Sequence, residues 1–434
     1  MSNAKNDIQS SETQYLNNYF EENLSGKGVR DSKKRIASID FVKGLAMIFI
    51  ILAHAAFAWF DSDWRYIYGL VFAFLDILGP TLFVFLSALS VVFSIKRKKD
   101  TVSDKSIRNR VFMRGFVIII IGILFNPLSL QTSGVAYPFP LNLWGWNVLM
   151  FIGFSQILSY YSLRFSKFTR AVTGVFIIFI SPFIRELLYA FKDDNVGIWI
   201  LHFIITSPLP QVPILPFLST CFLSTIFGEL LYEAMISGTT EAYKKLFKTF
   251  MRWGGVLVII GLATGLRLIN VAPDDNYIYI PFLSNYVVKS EYLHIDLLRI
   301  ANQQEGLPVQ LRTVFPGMFD FMVRGTASNM LYSLGAALLI IGVSFYYIDI
   351  KKRNSDVIKM VNFYGKTSLS LFLIQYLFLP LYLGSFSIMF YPLMFCGYAA
   401  FLGFLMYIWT KYFDGVGSPE WLMGQLGKRG KKTE

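Results

Sequence analysis

Ten apolar runs occupy most of residues 38–412, each near or above the ~20 residues that a helix needs to cross a bilayer core. They fall at about 38–60, 66–95, 110–127, 143–163, 169–190, 213–236, 251–270, 327–348, 360–384 and 388–412. Most contain Gly and several contain Pro, which membrane helices tolerate better than soluble ones. The expected fold is all-α and membrane-integral: a single bundle of about ten transmembrane helices with an extracytoplasmic insert. Composition agrees. Charged residues are 16% of the chain and hydrophobic ones 54%, whereas soluble domains carry about a quarter charged residues.

Charge gives the bundle a direction. The formal net charge is +12, but the basic residues cluster between the apolar runs. They read as topology signals and contacts to anionic lipid, not as a nucleic-acid surface. With the N-terminus inside, the inner flanks are 1–43, 96–114, 164–170, 244–252, 351–366 and 411–432. All but eight of the 40 Lys and Arg then lie inside, and IKRKKDTVSDKSIRNR at 95–110 is the clearest inner marker. Four of the eight fall in one long outer segment, where the positive-inside rule is weak. Both termini are therefore expected to be cytoplasmic, in a multi-pass protein of the plasma membrane. Residues 1–34 read as a flexible cytosolic tail with a short helix near Tyr15–Leu24. Residues 35–417 form the membrane domain, and 418–434 a basic cytosolic tail. The polar start predicts no cleavable signal peptide, so the first span serves as the insertion signal. Residues 191–212 are apolar but Pro-broken and are read as an interfacial or re-entrant piece. Residues 271–326 form the outer insert, read as a partly ordered lid.

Chemistry-bearing residues stand out against so apolar a background. The chain has three histidines, and one of them, His54, interrupts MIFIILAHAAFAWF. It lies about fifteen residues from the inner end of the first span, in the outer half at ~1.5 Å per residue. Asp76 is the one charge in FAFLDILGPTLFVFLSALS, and it lies as far from the hairpin tip near Arg65 as His54 does. The two are thus expected at similar depth. A carboxylate in a bilayer costs at least ~2.5–3.5 kcal/mol on insertion scales, and such residues usually face the interior and have partners. A His–Asp pair fixes the imidazole tautomer and leaves one ring nitrogen as a base or nucleophile. The plainer alternative is a polar clamp between two helices. At the inner mouth, Arg35, Asp40 and Lys43 open the first span, and Arg110 and Arg114 stand one turn apart on the third. Together they can hold a polyanionic cytosolic ligand such as a nucleotide phosphate, although topology alone also puts cations there. Asn147 and Gln156 are expected to point inward. Arg267 sits near an outer end, where it can snorkel. Glu229 and Glu233, one turn apart, read as a solvated face. Two cysteines and three scattered histidines suggest no disulfide framework and no metal site. There is no Walker loop, dinucleotide Gly motif or nucleophile elbow.

Several segments carry a resemblance. RIASIDFVKGLAMIFIILAH resembles the R-x-x-S-L-D-x-x-R-G-L-A opening of the transmembrane acyltransferase superfamily. That group takes in heparan-alpha-glucosaminide N-acetyltransferase-like, YeiB-type and acyltransferase-3 proteins. DILGPTLFVFLSALS resembles their second span, and WNVLMFIGFSQILSYY a W-D-V-L-x-x-I-G segment. VPILPF, ending at Phe217, is similar to a further family stretch. FYGKTSLSLFLIQY and the terminal GSPEWLMGQLG look like the YeiB-type ending. Asn147 stands where relatives often carry Asp, and Lys43 where they carry Arg.

The resemblance implies a membrane-bound acyltransferase. It would move an acetyl or short acyl group from cytosolic acyl-CoA to an extracytoplasmic sugar or glycolipid. His54 would be the base or acyl carrier and Asp76 would orient it. Arg35, Lys43, Arg110 and Arg114 would face the CoA phosphates, with Asn147, Gln156 and Arg267 on the acceptor side. Acetyl-CoA or another acyl-CoA would be the donor, with no metal. Membrane lipids and a glycan or glycolipid acceptor are the expected partners, with no nucleic acid, and a homodimer is compatible with the sequence. A transporter or flippase using a His54–Asp76 proton relay is the competing class, and a catalytically silent scaffold the third.

Overall fold

The helices begin where small polar side chains can cap them. Asn147, Thr239, Thr326 and Ser355 each accept a hydrogen bond from the backbone N–H three residues on. Each thereby satisfies one of the donors that a helix start leaves without an intrahelical partner. A computed structural model describes residues 36–59, 74–99, 102–132, 139–206, 212, 214–266, 268–270, 277–279, 287–289 and 317–429. Its helices are α1 (Ala37–Trp59), α2 (Pro80–Lys98), α3 (Asp104–Thr132), α4 (Val148–Ser162), α5 (Lys167–Phe191), α6 (Val196–Thr206), α7 (Ile214–Ser237) and α8 (Thr240–Gly265). After the insert come α9 (Ala327–Phe345), α10 (Asp356–Lys366), α11 (Ser368–Phe378), α12 (Tyr391–Phe413) and α13 (Pro419–Arg429).

The protein is an all-α membrane protein. Among the described residues, eight helices are long and apolar enough to cross a bilayer, and α4, α6 and α11 are shorter apolar helices. Two faces show what the outer helices meet. On α3, Met113, Phe116, Ile120 and Leu124 are exposed at helical spacing. On α5, Phe168, Val172, Val175, Phe176, Phe179 and Phe183 are exposed likewise. Apolar stripes of that length suit lipid and not water.

Inside the bundle, glycines let backbones touch. A Cβ on Gly115 would meet the Gly153 carbonyl at 2.7 Å, where α3 crosses α4. A Cβ on Gly254 would meet the Gly335 carbonyl at 2.9 Å, where α8 crosses α9. Gly44 of α1 and Gly365 of α10 have no room for a side chain at all. Small residues at crossings are how membrane helices gain packing without a hydrophobic driving force.

Each of the ten expected spans has a helix at its place, with three differences. The second was expected from about 66. Residues 60–73 lie outside the described residues, and α2 starts only at Pro80, after a short 3₁₀ turn at Asp76–Leu78. The fourth, α4, has only 15 residues. The ninth breaks at Thr367 into α10 and α11, and the first N–H groups of α11 bond to a distant side chain, described below. The piece at 191–212 contains the 11-residue α6, held by Trp144 and Trp146, whose indole N–H groups donate to the Phe203 and Ile204 carbonyls. Of the insert, the structure describes three strands and residues 320–326. Strand β1 (Leu268–Asn270) pairs antiparallel with β4 (Gly317–Phe319), and β2 (Tyr277–Tyr279) with β3 (Val287–Lys289). The β1–β4 pair draws the two ends of the insert together. The rest of the expected lid, and the Tyr15–Leu24 helix, lie outside the described residues.

Candidate active site

Three helices meet at His54, and their contacts show that they run the same way. Low on α1, Gly44 touches Val361 and Gly365 of α10, the segment that leads into α11. Higher up, the His54 ring lies against Tyr376 and Phe372 of α11, with ring centroids 5.0 and 6.1 Å away. Phe125 of α3 packs on the same pair, 4.7 Å from Tyr376 and 5.8 Å from Phe372. Phe125, Phe372 and Tyr376 are buried, and the imidazole is half-buried against them. His54 Nε2 and the Tyr376 hydroxyl share a hydrogen bond of 3.3 Å. The phenol can donate or accept, so the direction of this bond follows the ring's tautomer.

α1 and α11 are tied together just beyond this contact. Trp59 Nε1 donates to the Leu379 carbonyl at 2.8 Å. The N–H groups of Gly384 and Phe386 donate to the Ala58 and Trp59 carbonyls, at 2.9 and 3.0 Å. The last carbonyls of α1, which a helix end leaves without intrahelical donors, are satisfied this way. Tyr398 of α12 donates to the Gln375 carbonyl at 2.6 Å and braces the other side of α11.

Asp76 has a described partner other than the histidine. Arg324 Nε donates to Asp76 Oδ2 at 2.8 Å, and Arg324 Nη2 bonds Oδ1. The pair is bidentate, the geometry in which a guanidinium best matches a carboxylate. Leu75, just before this turn, and Leu78, its last residue, pack against the cluster of Phe49 and Ala56 on α1. Asp76 thus stands beside the His54 segment in depth, and its charge is balanced by the last arginine of the outer insert.

The cations at the other end stand on the same helix faces as the aromatic centre. Lys43 and His54 are eleven residues apart on α1, and so are Arg114 and Phe125 on α3. Eleven residues make about three turns, a rise of ~16 Å, and return to nearly the same face. Lys43 Nζ donates to Ser90 Oγ of α2 at 3.1 Å. Arg110 Nε is buried without a hydrogen-bond partner, and Arg114 has the Glu420 carboxylate as its electrostatic neighbour. Arg110 and Arg114 thus form a cationic face with donors to spare, which suits an anionic ligand.

The other expected site residues divide. Asn147 is buried and structural in its contacts: its carbonyl caps α4 at Met150 N, and its amide donates to Gly122 O and Asn126 Oδ1 at 2.8 and 2.6 Å. Gln156 is buried in α4. Arg35 and Arg267 lie outside the described residues. Sequence reasoning did not single out Phe125, Phe372, Tyr376, Arg324 or Glu420 as site residues. Tyr376 closes the FYGKTSLSLFLIQY segment and Glu420 lies in GSPEWLMGQLG, so both sat in segments already marked by resemblance.

Residues 35–269 match the family model described as heparan-alpha-glucosaminide N-acetyltransferase, catalytic. That stretch is more than half of the chain and contains His54, Asp76, Arg110 and Arg114; Tyr376 and Glu420 lie beyond it. No curated protein matches the chain. With its apolar spanning helices and this match, the chain belongs to the heparan-alpha-glucosaminide N-acetyltransferase catalytic family of membrane acetyltransferases.

Proposed function

We propose that the protein moves an acetyl or short acyl group from cytosolic acyl-CoA to a sugar or glycolipid on the far side of the membrane. The supporting observation is the position of His54. It lies inside the family match, against a buried aromatic wall, three turns beyond a cationic face on a parallel helix. Arg110 and Arg114, with Arg35 and Lys43 by resemblance, face the phosphates of the donor. The acyl arm runs along α1 and α3 toward the imidazole. His54 takes the proton of the acceptor hydroxyl or amine as the new acyl–oxygen or acyl–nitrogen bond forms and the carbon–sulfur bond breaks. It then returns that proton to the departing thiolate. Tyr376 holds the ring in place through its hydrogen bond to Nε2. Asp76 acts through Arg324, fixing the outer wall of the site at the depth of the histidine.

The test is purified protein with acetyl-CoA and a panel of sugars, followed by release of free thiol. Wild type releases thiol in an acceptor-dependent way, and folded His54→Ala does not. Uptake of a solute without any CoA binding would replace this reading with a transporter.

A further inference from the structure

The C-terminal segment read from sequence as a basic tail contains α13, and its second residue reaches into the bundle. Glu420 Oε1 accepts from the backbone N–H groups of Leu369 and Ser370, at 2.9 and 3.0 Å, and Oε2 from the Ser370 hydroxyl. These are the first donors of α11, which a helix start cannot satisfy within itself. A carboxylate there also meets the positive end of the helix dipole. The link before it, with Asp414, Gly415 and Gly417 all at positive φ, is the tight turn that delivers Glu420 from α12.

α11 needs such a seat. It starts afresh at Ser368 because Thr367, at φ −106° and ψ 18°, leaves the helical region, so α10 does not dictate its rotation. Eleven residues are too few to hold an isolated helix. Two turns above the seat, ~9 Å along the axis from Ser370, Tyr376 holds Nε2 of His54.

We infer that Glu420 is a positioning residue, which sets the rotation and height of α11 and thereby the Tyr376–His54 contact. It also places a negative charge beside Arg114. This rests on His54 being the reacting group, and the test separates the two ideas. The chain has only three histidines, so full-length protein labelled with ¹⁵N-histidine gives a readable spectrum, and loss of signals in His54→Ala assigns them. In folded Glu420→Gln, the His54 ring-nitrogen shifts, which report the tautomer, move as they do in Tyr376→Phe. The double variant moves them no further than Tyr376→Phe alone, and Glu420→Asp brings them part of the way back.

In the thiol-release assay, Glu420→Gln lowers kcat on the order of tenfold to a hundredfold, the usual cost of a small misplacement at a reacting centre. The KM for acetyl-CoA holds or falls, because the charge opposing its phosphates is gone. Wild-type His54 shifts in folded Glu420→Gln would overturn the inference. A raised donor KM at unchanged kcat would do the same, making Glu420 part of the donor seat instead. Coupled shifts in a protein that transfers no acetyl group would uphold the positioning role and end the acyltransferase reading.

Discussion

Glu229 and Glu233 stand one turn apart on α7 and meet opposite fates. Glu233 is exposed and pairs with Lys167 at 2.7 Å. Glu229 is buried and gripped on both oxygens, by Lys96 at 2.8 Å and by Arg170 of α5. Arg170 is itself buried, with Nη1 donating to Thr225 at 3.0 Å. The expectation of one solvated face is therefore corrected for Glu229 and holds for Glu233. Glu229→Ala leaves a buried guanidinium uncompensated and should cost about 3–5 kcal/mol. Glu233→Ala removes an exposed pair worth about 0–1 kcal/mol. Thermal or denaturant unfolding in detergent would separate them, and equal losses would refute the assignment. Helical spacing treats both glutamates alike, because what distinguishes them arrives from a helix 59 residues away. The same limit governs the candidate site. His54, Arg110 and Arg114 were legible because a charge or an imidazole is conspicuous in an apolar run. Phe125, Phe372 and Tyr376 were not, since nothing local marks three aromatics among 42 Phe and 24 Tyr. Asp76 was legible as a residue needing a partner; which partner depended on how the end of a 56-residue insert folds back.

At the scale of elements, adjacent glycines on α8 give a clean comparison. Gly254 faces the Gly335 carbonyl, while nothing lies within 4 Å of a Cβ on Gly255. Gly254→Ala should force α8 from α9 and cost about 1–3 kcal/mol, as overpacking does. Gly255→Ala should be neutral, or stabilise by up to about 1 kcal/mol through helix propensity. Melting curves of the two variants check this, and a destabilised Gly255→Ala would count against the α8–α9 packing. The presence and approximate place of the helices could be read from apolar run length. Their breaks could not. α11 starts anew at Ser368, its opening N–H groups bond a carboxylate, and that carboxylate comes from a segment whose composition suggests only a basic tail.

Across the whole molecule, the distribution of Lys and Arg makes a directional claim that labelling can test. In a background lacking Cys221 and Cys396, Ser103→Cys and Ser355→Cys should react with an impermeant maleimide from one side of the membrane. Asn195→Cys should react from the other. Labelling of Ser103→Cys and Asn195→Cys from the same side would break the proposed topology. The proposed acyl path depends on that topology, since it requires α1, α3 and α11 all to start at the face where the donor would enter.

The contact between His54 and Tyr376 joins residues 322 positions apart, and the loop that closes off the end of α1 is made just after that tyrosine. A ribosome must add more than 322 residues after His54 before the Ala58 and Trp59 carbonyls at the end of α1 can meet the N–H groups of Gly384 and Phe386. On the proposed mechanism, any product cut short before the ninth apolar run carries the histidine without the tyrosine that meets its ring.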